Sequence, residues 1–181
     1  WWRDALEEIA EGKPVRKHEV TTPLADVLSP AQAKRLDESV AARRWDIYKD
    51  AFEDQAHMDA YLDQTSGLLM WTACELLGAP PEAEADVRDL AFVAGTAAFL
   101  RAVPELAEAN RIPLLDGTEK GLQELALRAF VRGRRPKLAK HVRPGLWPAI
   151  GALCTLDQVI RDTPAVAEAR LDPGVPPFRL V

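Results

Sequence analysis

The amino-acid sequence predicts an all-α protein, and three observations support this prediction. Apolar residues recur at helical spacing through most of the chain. Ser, Thr, Gly and Pro stand where helices are expected to begin and end, and no run of alternating apolar and polar residues predicts a strand. The chain has 181 residues, of which 48% are hydrophobic and 28% charged, the composition of a globular protein. We therefore expect residues 1–181 to form a single α-helical domain.

The first 52 residues contain two predicted helices separated by an irregular segment. The first helix ends near Ala10, and residues 14–23, which contain prolines and β-branched residues, are expected to be extended or irregular. Ser29 is a favourable N-cap and Pro30 a favourable first helical residue. We expect the helix that starts there to continue to about Phe52.

The remaining predicted elements begin at residue 57. A helix over residues 57–77 is terminated by glycine and proline, and another begins near Pro81 and reaches Arg101. Pro104 is expected to break or kink that helix because proline lacks the backbone N–H. The last elements are two helices and a coil, at residues 118–131, at 146–161 and from 171 onwards.

Two stretches, residues 64–78 and 90–100, are apolar on nearly all sides. A helix of this kind is buried in a core or lines an internal apolar cavity. Small residues such as Gly67 and Gly95 either let the two helices approach closely or leave space for a ligand. Both alternatives are open at this point. Neither stretch approaches the roughly 20 residues of a membrane span.

Charge is unevenly distributed along the chain. The net charge is −5, yet residues 126–156 contain no Asp or Glu and seven Lys or Arg. Such a segment is either a solvated loop with cations at helix C-termini or a binding surface for an anionic partner. We expect no nucleic-acid binding, because the chain is acidic overall. Arg128–Arg143 is the candidate for peripheral contact with a membrane.

The two cysteines, Cys74 and Cys154, are too few for a disulfide framework, and both stand in apolar surroundings. Reduced cysteines of this kind are typical of proteins in a reducing compartment. We therefore expect a cytoplasmic location, with membrane contact limited to the protein surface.

Three segments resemble the squalene and phytoene synthases. They are Trp1-Trp-Arg-Asp-Ala-Leu-Glu-Glu, Tyr61-Leu-Asp-Gln-Thr-Ser-Gly67 with the following Leu-Leu-Gly78, and Gly95 to Asp116, which is similar to the second aspartate-rich motif and its loop. The resemblance implies an isoprenoid (prenyl) synthase-type helical bundle that lacks its N-terminal helices in this chain. In the family, paired aspartates hold Mg²⁺, which binds the diphosphate leaving group of a prenyl substrate.

The second motif departs from the family pattern at the positions that matter for the metal. Ala102 and Leu106 replace its two aspartates, whereas Arg101, Glu105 and Arg111 are retained. Neither Ala nor Leu has an oxygen ligand for Mg²⁺. The following loop also differs, since the family's Gly, Tyr and Pro are replaced by Asn110, Pro113 and Leu115.

This pattern of loss resembles the phytoene-synthase-like assembly factors of mitochondrial complex I and their bacterial relatives. The resemblance implies a non-catalytic binding or assembly protein with an apolar, isoprenoid-sized cavity and no cofactor, and with a lipid or a membrane-complex subunit as partner. No residue is assigned a catalytic or metal-ligating role. The candidates for lining a substrate or lipid pocket are Tyr61, Thr65, Gly67, Leu68, Trp71, Gly95, Phe99, Arg101, Glu105 and Arg111.

The alternative function is a Mg²⁺-dependent transferase that joins two prenyl diphosphates head to head. It requires that a segment upstream of Trp1 supply an intact first aspartate motif, or that aspartates elsewhere in the chain substitute for the missing pair. Asp46, Asp50 and Asp54 are spaced i, i+4 and i+8, and Asp59 and Asp63 are also four residues apart, so that neighbouring pairs of carboxylates lie on one helix face. These pairs are either a solvated acidic surface or a relocated metal site. The three histidines are widely separated, so we expect no zinc site.

Overall fold

The computed structural model describes residues 1–48, 50–133 and 136–163, and within these ranges the chain forms helices and no strand. The prediction of an all-α fold is confirmed. The coil predicted from residue 171 lies outside the described residues. The helices are α1 (Trp2–Ala10), α2 (Thr21–Val27), α3 (Pro30–Ala42), α4 (Gln55–Leu62), α5 (Leu68–Leu76), α6 (Glu84–Glu108), α7 (Glu119–Arg132) and α8 (Ala152–Arg161).

Several boundaries differ from the prediction. The helix expected to reach Phe52 ends at Ala42 and continues only as a 3₁₀ turn, Arg43–Asp46. This turn brings the Trp45 ring onto the Phe52 ring, with the ring centres 4.2 Å apart. Part of the segment expected to be irregular forms α2, and the last helix begins at Ala152, after a 3₁₀ stretch at Arg143–Ala149.

The helix predicted over residues 57–77 is present but changes its winding in the middle. A π-helical turn, Asp63–Gly67, joins α4 to α5. Such turns are rare and occur often at functional sites. Inside the turn, the Thr65 hydroxyl donates a hydrogen bond of 2.7 Å to the Tyr61 carbonyl oxygen.

Of the two effects predicted for Pro104, a break or a kink in the fourth long helix, the break does not occur. Helix α6 runs without interruption from Glu84 to Glu108 and contains Pro104. Proline removes one backbone hydrogen bond, and the remaining bonds and the tertiary contacts of a 25-residue helix maintain its course. The segment Pro81–Glu108 is also long and apolar enough to be a candidate membrane span, but 56% of its apolar window is buried inside this protein.

Helix α6 lies at the centre of the fold. It contacts the π turn, α5, α7, α8 and the 3₁₀ stretch at Arg143–Ala149. Together these elements bury one large apolar cluster, in which Trp71 and Phe92 are among the largest enclosed side chains. Helix α1 packs on α3 and contributes Leu6 and Ile9 to a second, smaller apolar cluster.

Candidate functional site

The site that the sequence suggests is centred on the C-terminal half of α6. Gly95, Phe99, Ala102 and Leu106 follow one another at i, i+4, i+7 and i+11, and therefore lie on one face of this helix. Phe99 is buried, and Leu106 is a partly buried side chain that packs against the large apolar cluster. The two positions at which the family has metal-binding aspartates therefore continue the apolar face of the helix. They do not fit a Mg²⁺ ion, which requires oxygen ligands.

Arg101 and Glu105, the polar residues retained within the motif helix, lie in a more open environment than Ala102 and Leu106. Arg101 and Glu105 are exposed, and neither makes a side-chain hydrogen bond or an ion pair with the described residues. Ala98 is also exposed and lies on the same flank of α6. This flank, defined by Ala98, Arg101 and Glu105, is the open side of the motif helix.

Four aromatic rings pack beside the motif face. The Trp45 ring is stacked on Phe52 with an interplanar angle of 7°, and Tyr61 and Phe99 lie 5.2 and 6.3 Å from Trp45 between ring centres. The four residues come from the 3₁₀ turn, the segment before α4, α4 itself and α6. The candidates Tyr61 and Phe99 are therefore brought together, as parts of a packed aromatic cluster.

Tyr61 carries the most perturbed polar group of this cluster. Its hydroxyl donates a hydrogen bond of 2.7 Å to the Asp46 carboxylate and accepts one of 3.1 Å from Arg43. Burial of the hydroxyl, and then the hydrogen bond to Asp46, raise the pKa of Tyr61 far above its ordinary value. The hydroxyl is therefore a firmly protonated donor that fixes the 3₁₀ turn on α4.

Arg111 ties the loop after α6 to the same turn. Its guanidinium donates hydrogen bonds of 2.6 and 2.7 Å to the carbonyl oxygens of Asp46 and Trp45, and lies 4.2 Å above the centre of the Trp45 ring. The preceding residue, Asn110, has a left-handed backbone with φ of 56°. Gly adopts this conformation most readily at a helix end, and Asn is the next most common residue there. The replacement of the family's Gly by Asn is therefore compatible with the turn that positions Arg111.

Sequence analysis did not identify Trp45 or Arg43 as members of the site. It considered Asp46 only as part of an acidic series. The sequence pattern does not place these three residues at the site, because it predicts a continuous helix here. In the structure, the 3₁₀ turn redirects all three side chains. Their partners, Tyr61 and Arg111, were identified as candidates through the family resemblance.

The remaining candidates lie where the π turn and α5 meet α6. Gly95 contacts the π turn so closely that a β-carbon there would be 2.6 Å from Ser66 Oγ and 3.0 Å from Ser66 Cβ. A β-carbon at Gly67 would lie 2.5 Å from the Asp63 carboxylate. At the level of Gly95 the π turn and α6 are in direct contact, which leaves no room for a ligand between Gly95 and Ser66. The other candidates of this region, Thr65, Leu68 and Trp71, are buried.

In the described part of the chain, all the carboxylates considered as a relocated metal site except Asp50 have other partners. Asp59 accepts hydrogen bonds of 2.5 and 2.7 Å from Arg128, and Asp63 forms an ion pair with Arg88. Asp54 accepts a hydrogen bond from the His57 backbone N–H and caps α4. Among residues 1–48, 50–133 and 136–163, no group of three His, Cys, Asp or Glu side chains is arranged to hold a metal ion.

Two cavities lie away from the motif face. The larger is an open groove of about 690 Å³ between α1 and α3, with Arg3, Asp37 and Lys34 among its lining residues. The smaller, of about 180 Å³, lies between α4, the loop before α7 and α7 itself, near Arg128. The larger cavity has mainly charged walls, whereas the smaller combines apolar side chains, among them Met58 and Leu125, with charged ones such as Arg128.

The fold and the position of the motif define the class of protein. The chain is an all-α protein of the isoprenoid synthase type. The family model for squalene/phytoene synthase matches residues 1–129, more than half of the chain, and the protein belongs to this family. No curated protein and no solved structure matches the chain.

Proposed function

We propose that this protein is a non-catalytic member of the squalene/phytoene synthase family that acts as a binding or assembly protein. The observation that carries the proposal is the apolar character of the motif face. Ala102 and Leu106 stand at the positions of two metal ligands, and Leu106 is integrated into the apolar cluster. Diphosphate groups carry several negative charges, and an apolar face cannot compensate them.

The other carboxylates near this face do not compensate for the loss. Asp59 and Asp63 are each engaged by an arginine, and Asp46 is held by Tyr61 and Arg43. Recruiting any of them for Mg²⁺ requires breaking an existing ion pair or hydrogen bond. This cost supports a binding role over the alternative, the head-to-head prenyl transferase.

The open flank at Ala98, Arg101 and Glu105 is our candidate for the binding surface. A guanidinium and a carboxylate that have no partner among the described residues, beside an exposed alanine, suit the polar end of a lipid or a polar contact of a partner protein. The close contact of Gly95 with Ser66 favours this surface over a pocket between the π turn and α6. A subunit of a membrane complex is the partner that the resemblance to the assembly factors suggests.

The test of the proposal is an assay of diphosphate release. The protein is incubated with farnesyl or geranylgeranyl diphosphate, Mg²⁺ and NADPH, beside an active phytoene synthase as positive control. We expect no release above the rate without protein. Metal-dependent release that is abolished by Glu105→Gln would overturn the proposal and support the transferase.

A second measurement addresses binding. Arg101→Ala and Glu105→Ala are compared with Lys120→Ala, which removes an exposed charge from another helix, in capture experiments with membrane-complex subunits and in native mass spectrometry with isoprenoid lipids. We expect the α6 variants alone to weaken binding. Equal binding by all variants would exclude the open flank as the binding surface.

A further inference from the structure

A short basic segment, residues 137–150, presents cations and large apolar side chains to solvent. Its exposed lysines, arginine and large apolar side chains are Lys137, Lys140, Arg143, Trp147 and Ile150. The indole of Trp147 is 67% exposed and Ile150 is 63% exposed. The segment contains no acidic residue, in a chain whose net charge is −5.

The five cations of the segment 126–156 that the structure describes fall into two groups. Arg128 and Arg132 face the protein, where they pair with Asp59 and Asp89 and lie over the Phe92 ring. Their charges are therefore neutralised. Within the described residues, Lys137, Lys140 and Arg143 have no carboxylate partner.

The basic segment is held on the protein by buried residues between the exposed ones. Leu138 and Val142 belong to the large apolar cluster. Gly145 approaches helix α5 so closely that a β-carbon there would be 2.7 Å from Cys74 Sγ. This anchoring directs Leu138, Val142 and Gly145 inwards, and the cations and Trp147 outwards.

We propose that the basic segment docks this protein on an anionic membrane surface. Cations near such a surface are attracted by its negative potential, and an indole is stable at the boundary between headgroups and acyl chains. The combination of unpaired cations with an exposed Trp and Ile distinguishes this surface from one that binds a soluble polyanion through charge alone. The proposal is independent of the function proposed above.

The test is flotation of the protein with lipid vesicles of phosphatidylcholine alone, or of phosphatidylcholine with phosphatidylserine. We expect binding to the anionic vesicles only, and weaker binding as salt screens the charges. The triple variant K137Q/K140Q/R143Q removes three charges, each contributing about a fivefold change in partitioning, so we expect a loss of about a hundredfold. Trp147→Ala should also weaken binding.

The matched control is K17Q/K34Q/K120Q, which removes three exposed charges from other surfaces and should bind nearly as the unmodified protein does. Circular dichroism shows that each variant is folded. Absence of binding to anionic vesicles, equal binding to both lipids, or equal losses in the triple variant and its control would overturn the proposal. Unchanged binding of Trp147→Ala would overturn it as well, because the indole is part of the proposed contact.

Discussion

The close contact between Gly95 and the π turn makes Gly95→Ala an informative perturbation. In a helix, Ala is normally favoured over Gly by about 0.5–1 kcal/mol. Here the added methyl group would lie 2.6 Å from Ser66 Oγ and 3.0 Å from Ser66 Cβ, and 3.5 Å from Leu62 Cδ2. Overpacking of this kind costs about 1–3 kcal/mol. The overpacking cost exceeds the gain in helix propensity, and we expect a net loss of about 1 kcal/mol in the free energy of unfolding.

The assay is urea-induced unfolding followed by circular dichroism. A double-mutant cycle with Ser66→Gly isolates the steric term, and we expect the two substitutions together to be more stable than the sum of their separate effects predicts. Gly117→Ala is the control, because a β-carbon there has no atom within 4 Å. If Gly95→Ala is as stable as the unmodified protein, or more stable, the reasoning is refuted and the space between the helices is larger than we describe.

Further predictions concern the residues around the 3₁₀ turn. In a Tyr48→Phe background, absorbance titration should show Tyr61 ionising well above its ordinary pKa of 10.0, because burial and its hydrogen bond oppose ionisation. Tyr61 ionises at a lower pH in the unfolded chain than in the folded protein. Raising the pH above about 10 should therefore lower the free energy of unfolding, and by more than in Tyr61→Phe. Urea unfolding at each pH measures this difference. Arg111→Ala should lower the free energy of unfolding by about 1–3 kcal/mol through loss of two charged hydrogen bonds, and Arg111→Lys should not restore it fully. In urea unfolding, Asn110→Gly should leave the free energy of unfolding unchanged or raise it. Asn110→Val should lower it by about 1–2 kcal/mol, because the backbone at position 110 has a positive φ.

Much of the fold was predictable because capping and apolar periodicity act locally. Ser29 caps α3 with a complete capping box, and Thr118 caps α7, as the residue types indicate. The early end of α3 was not predictable in this way. It depends on the stacking of Trp45 on Phe52, and the two residues come together only in the folded protein.

The candidate site was predictable only in part. The family resemblance identified Tyr61 and Phe99, which belong to the aromatic cluster, and Arg111, which lies over its Trp45 ring. Periodicity alone did not distinguish a packed core from a cavity. The short distance between Gly95 and Ser66 favours a packed core at this point, and it depends on how the π turn and α6 pack in the folded protein. The continuation of α6 through Pro104 was also not predictable from local sequence, because tertiary contacts along this long helix outweigh the loss of one hydrogen bond.

The central claim is that the motif face of α6 no longer supports a complex of Mg²⁺ with a prenyl diphosphate. Calorimetric titration of the protein with farnesyl diphosphate, in the presence of Mg²⁺ and then of a chelator, tests this claim directly. We predict the same affinity in both conditions, because Ala102 and Leu106 provide no metal ligand and only cations such as Arg101 remain to meet the anion. An increase of tenfold or more with Mg²⁺ would contradict the account.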